Sequence, residues 1–240
     1  MNLHNIEHVI EQCKELYKLF AEKKNIAEKA IILEKLKSFA ADDKYSESQE
    51  IVLEYARALS SFAFKQLREE KDIAERTSTV KQLETLAKDE RYSNNQEIVQ
   101  FYAQGLSLLI FKQEIEEVEN VIKQIEVLVE DSRYCDNRKI IEIYAKALSR
   151  NLFMQQDIAK KEVIIRQLES LVKDERYNSN IDIVLTYIET LINFALTKQR
   201  DDVVVAIDEI EHLLSDEKYA ENQNLMGLLK YAGEHLRLFN

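Results

Sequence analysis

Tight turns and strand ends draw heavily on glycine and proline. This chain of 240 residues has three glycines and no proline. At average usage a chain of that length carries about 17 and about 12. A β-sandwich, a barrel or a typical α/β fold is poorly served by such a composition, and long helices are what remain. Apolar residues make up 45% and charged residues 32%, enough apolar surface for a packed core and well outside the disordered class.

A period organises those helices. The segments Asp42–Tyr45, Asp89–Tyr92, Asp131–Tyr134, Asp174–Tyr177 and Asp216–Tyr219 are one motif, Asp-x-x-Tyr, with the tyrosines 47, 42, 43 and 42 residues apart. A fixed period between 20 and 50 residues marks a solenoid or array. After each motif comes an apolar stripe at helical spacing. It reads Ile51, Val52, Tyr55, Ala56 and Leu59 in one unit, and Ile98, Val99, Tyr102, Ala103 and Leu106 in the next. We name this helix A. A second stripe, such as Val121, Ile122, Ile125 and Leu128, forms helix B and ends at the next motif. The repeats are expected at 1–44, 45–91, 92–133, 134–176 and 177–218, with a cap at 219–240, all in one domain.

The termini read as caps. Val9, Cys13, Tyr17 and Phe20 make residues 4–22 a degenerate helix A, residues 26–41 its helix B, and residues 222–239 a last helix A. Asn94 followed by Glu97 has the form of a capping box, and Ser179 followed by Asp182 is a weaker version. The A-to-B junctions, such as 112–114 and 198–201, carry little punctuation. The first full unit is longer by five residues, with the excess near Leu67 to Thr79.

The helix A pattern Val52…Tyr55-Ala56…Leu59 resembles the large–large–small–large signature of tetratricopeptide repeats. Ala56, Ala103 and Ala145 stand where that family places a small residue, and the Asp-x-x-Tyr turn stands where it usually places Asp-Pro. The period is longer than the family's and the turn proline is absent; a period of about 42 residues also suits HEAT-like or other helical-hairpin solenoids, though the helix A proline usual in HEAT repeats is absent too. The resemblance implies an all-α, right-handed α-solenoid of about eleven antiparallel helices, five A/B pairs and a capping helix. It also implies a concave groove lined by the A helices. By register that groove includes Arg57, Gln100, Gln104, Glu142, Lys146, Arg150, Glu189 and Asn193. Arg57, Lys146 and Arg150 then suit an extended or helical peptide of acidic character.

Chemistry is scarce by comparison. Gly105, Gly227 and Gly233 form neither a phosphate loop nor a dinucleotide fingerprint, and Gly105 reads as close helix packing. Cys13 and Cys135 give no disulfide framework and no zinc spacing. His4 and His8 sit four apart and lack an evident third ligand. The expectation is a non-enzymatic protein-binding or peptide-binding scaffold, with no metal and no cofactor. The net charge of −11 disfavours nucleic acid and anionic membrane as partners. It leaves a second reading, an acidic decoy for a basic partner such as a nucleic-acid-binding protein. In that reading the acids of residues 113–136, Glu116 and Glu117 among them, do the work. The start of the chain, Met1–His8, has no basic region and no apolar run, and the longest apolar stretches, such as Leu108–Phe111, are far too short to span a bilayer. A cytoplasmic location is expected.

Overall fold

A computed structural model describes residues 3–111, 114–197 and 200–236; the side chains of residues 3, 4, 200, 201 and 236 also fall outside the description. Eleven helices lie within these residues, and no strand. They are α1 (Leu3–Glu22), α2 (Ile26–Ala40), α3 (Gln49–Arg68), α4 (Ile73–Lys88), α5 (Gln96–Leu109), α6 (Ile115–Glu130), α7 (Arg138–Met154), α8 (Ile158–Lys173), α9 (Ile181–Ala195), α10 (Arg200–Leu214) and α11 (Gln223–Leu236). Odd numbers are A helices and even numbers are B helices. The chain divides into two compact units, Met1–Ile140 and Ile141–Asn240.

Within the first unit each helix packs on its sequence neighbours, and α3 also packs directly on α1 and on α5. In the second unit α9 packs on α8, α10 and α11. The small residues make this close approach possible. Ala56, Ala103 and Ala145 are fully buried. A Cβ added at Gly105 of α5 would lie 3.0 Å from a Leu83 methyl and 3.2 Å from a Val80 methyl, both on α4.

The Asp-x-x-Tyr motif is the joint of the array. Asp89 Oδ1 accepts from the Arg91 backbone N–H and from Arg91 Nε, both at 3.0 Å, and Oδ2 accepts from the other arm of the guanidinium at 2.7 Å. The same fork joins Asp131 to Arg133 and Asp174 to Arg176. These hydrogen bonds hold the three carboxyls below the usual carboxylate range. The guanidinium then lies 5.0 Å over the ring of Tyr92, 4.9 Å over that of Tyr134 and 4.8 Å over that of Tyr177, within cation–π range. The rings are buried. Each hydroxyl with its partner in the same unit donates to a backbone carbonyl of the preceding turn: Tyr92 to Ser46, Tyr134 to Ser93 and Tyr219 to Asn178.

The backbone closes the turn without left-handed residues. The Tyr92 and Ser93 N–H groups both donate to the Asp89 carbonyl, and the Asn95 N–H donates to the Tyr92 carbonyl. The four other copies follow the same scheme. Glu70 is the one described residue with a positive φ, 56°. A chain whose turns need no left-handed backbone needs no glycine there.

The caps differ by one residue from the sequence expectation. Asn95, not Asn94, accepts from the Glu97 and Ile98 N–H groups, and Asn180, not Ser179, accepts from Asp182. The hydrogen-bonded turn extends one residue further than the pattern suggested, so the extended residue that can cap is the sixth after the aspartate. Asn137 and Asn222 cap α7 and α11 in the same register. The A-to-B junctions, unmarked to the eye, also have caps. Asn25, Asp72 and Asp157 accept from Ala27, Ala74 and Ala159, each within an Asx-Ile-Ala sequence. Residues 112–113 and 198–199 of the other junctions lie outside the described residues.

Two predictions follow from these joints. Tyr134→Phe removes a buried hydroxyl and leaves the Ser93 carbonyl unpaired; a loss of about 1–2 kcal/mol is expected in chemical denaturation. The five extra residues near position 70 lengthen α3 and close it with Glu70 in the left-handed region, Glu70 N–H donating to Leu67 and Lys71 N–H to Gln66. This is a Schellman end without its usual glycine. Glu70→Gly is expected to raise stability by about 0.5–1 kcal/mol through relief of the Cβ contact.

Candidate functional site

In the first unit the packed A helices leave a groove of about 500 Å³. Tyr17 of α1, Phe64 of α3, and Phe101 and Leu108 of α5 form its apolar walls. Its polar lining is Arg57, Ser60, Ser61, Gln104 and Ser107. The helices dictate this arrangement: Arg57, Ser60, Ser61 and Phe64 recur at three-residue and four-residue intervals on α3, as do Phe101, Gln104 and Leu108 on α5, so each set shares a face. Phe64 is 51% exposed, a large aromatic ring left to solvent beside three other apolar side chains.

The polar groups are ordered. Buried Ser60 donates to Gln104 Oε1 at 3.1 Å, and Ser107 donates to the Gln104 backbone carbonyl at 2.8 Å. Gln104 therefore keeps its amide NH₂ as a donor. Arg57 lies 5.4 Å over the Tyr17 ring. It donates from one arm to both oxygens of Glu54, at 3.2 and 3.3 Å, and its other arm is 3.6 Å from Glu97. The cation expected to meet an acidic peptide is thus already shared by two carboxylates.

Glu54 was not legible as a site residue. It sits on the α3 stripe between apolar neighbours and is only 6% exposed. Burial raises its carboxyl above the ordinary value of 4.5, with Arg57 and Lys14 opposing. Cys13 of α1 is also fully buried; burial first, and the Glu54 charge second, push its thiol up to about 11. Among the described residues neither Cys13 nor Cys135 forms a disulfide.

A second unread pattern is the basic residue four positions after the B-helix cap. Arg76, 1% exposed, donates to the Leu108 and Phe111 carbonyls at the end of α5 at 3.5 and 3.3 Å. Lys29 donates to the Phe20 carbonyl near the end of α1 and lies 4.1 Å over the Phe20 ring. Cations at helix C-termini complement the dipole. Both are held below their usual pKa range, chiefly by burial. The recurring Asx-Ile-Ala-x-Lys/Arg sequence was the available signal.

The predicted groove residues divide between the units. Arg57, Gln100 and Gln104 belong to the first, and Glu142, Lys146, Arg150, Glu189 and Asn193 to the second. Arg57 and Gln104 line the cavity; Gln100 is half-buried on α5. In the second unit Glu142 accepts from the Asn180 amide at 3.0 Å. Lys146 is exposed, and burial lowers the Arg150 pKa. Glu189 is exposed, and Asn193 donates to the Glu189 carbonyl at 2.7 Å. Glu116 and Glu117 are exposed in the first turn of α6. His8 is exposed, and the side chain of His4 lies outside the described residues. Among the described residues no three His, Cys, Asp or Glu side chains converge as a metal site, and no helix is long and apolar enough to cross a membrane.

No protein-family model, no curated protein and no solved structure matches this chain.

The electrostatics of Glu54 give a pH prediction. Its folded pKa is raised, so protonation favours the folded state; this contribution is complete below the unfolded value and is lost as pH rises through the folded one. Glu54→Gln does not titrate. The unfolding free energy of the wild type, relative to Glu54→Gln, is expected to fall as pH rises from about 4 toward neutrality. A difference that grows in favour of the wild type would show that Arg57 outweighs burial.

Proposed function

We propose that this protein is a non-enzymatic scaffold of the tetratricopeptide-like kind, binding a protein or peptide along its A-helix face. The observation that carries this reading is the groove of the first unit. Three successive A helices contribute Tyr17, Phe64, Phe101 and Leu108 around a cavity of about 500 Å³. Apolar pockets with a few fixed polar groups are typical of ligand sites, and peptide grooves take side-chain anchors in this way. Stacked repeats supply such surfaces.

The acidic-decoy reading uses α6 instead, and the two readings rank variants oppositely. Partner capture from cell extract with a high-salt wash separates them. The double variant Phe64→Ala/Phe101→Ala is expected to lose the captured partner by tenfold or more. Glu116→Lys/Glu117→Lys is expected to retain it, and unchanged helicity by circular dichroism checks both folds. Loss from the glutamate variant alone would make α6 the working surface.

A further inference from the structure

The charges at the groove indicate what kind of peptide enters it. We propose that the groove takes an apolar side chain flanked by a basic residue, Lys or Arg, rather than by a carboxylate; this rests on the groove reading above. The floor and walls accept the apolar group: Tyr17, Phe64, Phe101 and Leu108 surround the cavity, and Phe64 is half exposed.

The lip selects the charge. Arg57 is the cation that lines the cavity, and it is held by Glu54 and Glu97 together. One positive charge against two negative ones leaves a local surplus of one negative charge. The nearby cations are occupied as well: Lys14 is 3.7 Å from Glu11, and Lys65 is 2.7 Å from Glu69. Glu97 is the open member of the cluster, with its side chain 60% exposed, whereas that of Glu54 is 8% exposed. An incoming ammonium or guanidinium can take a charge-assisted hydrogen bond from Glu97 without breaking the Glu54–Arg57 pair. An incoming carboxylate must compete with Glu54 and Glu97 for Arg57, and like charges placed together at an interface are costly. The net charge of −11 steers the same class of ligand toward the protein.

The test is selection of a random peptide library on the intact protein, followed by anisotropy measurements on the selected peptides and on versions with Lys and Arg replaced by Glu. Selected peptides are expected to carry a Trp, Phe or Leu with Lys or Arg within four residues. Exchange of the basic residue for Glu is expected to weaken binding at least tenfold at low salt, and less at high salt. Glu97→Lys, a change at an exposed position, is expected to shrink that preference to twofold or less. Phe101→Ala, checked for intact helicity, is expected to weaken basic and acidic versions alike. Peptides with acidic flanks that need Phe101 would overturn the charge assignment and leave the groove standing. Peptides indifferent to Phe101→Ala would overturn the groove itself.

Discussion

The hydroxyls of Tyr92, Tyr134 and Tyr219, each donated to a carbonyl of the preceding turn, make the contact on which the packing of these repeats depends. It ties one inter-repeat turn to the next across about 41 to 46 residues of sequence. The tyrosine is held for that task from both sides. Its ring is covered by the arginine of the motif, and that arginine is fixed by the aspartate at the motif's start. One side chain at each position thus orders the next, and the turn carbonyl gains a donor. In the last copy Lys218 takes the place of arginine, 5.0 Å over Tyr219.

With the turns stacked in this way, α3 lies against both α1 and α5 in the first unit. That packing brings Tyr17, Phe64 and Phe101 from separate helices around one cavity. It also buries charge. Glu54 is desolvated beneath Arg57, and Arg76 and Lys29 are enclosed against the carbonyl ends of A helices. A buried ion without a partner is strongly destabilising. Each of these groups has an opposite charge or carbonyl oxygens within reach, and each thereby helps to fix the position of a helix end or a groove wall.

The fold was largely legible. The five tyrosines placed the joints, and the stripes placed α1, α2 and α11 within two or three residues of their observed limits at the described ends. The cap positions were missed by one residue because the hydrogen-bonded turn runs on past Asn94 and Ser179, which no local pattern announces. The B-helix caps were missed for a different reason: the junctions were read forward from each motif, where the spacing varies (27 residues from Tyr45 to Asp72, 23 from Tyr134 to Asp157), whereas Asn25, Asp72 and Asp157 each lie 20 residues before the next motif tyrosine. Of the residues that line the first unit's cavity, the place of Arg57 and Gln104 on the A helices was legible by register. Their chemistry was not, because Glu54 lies on the buried stripe, where a charge is expected only with a partner, and its partners Arg57 and Glu97 are brought together by packing of α3 on α5.

Helical content, the repeat period, the turn motif and the apolar face of each helix were all written in the order of residues. These follow from local composition and from spacing along the chain. The tertiary structure decided which charges neutralise one another, which aromatic rings remain open to solvent, and which carbonyl each tyrosine finds. Those outcomes depend on distances between side chains tens of residues apart, and only the packing of one helix against another sets such distances.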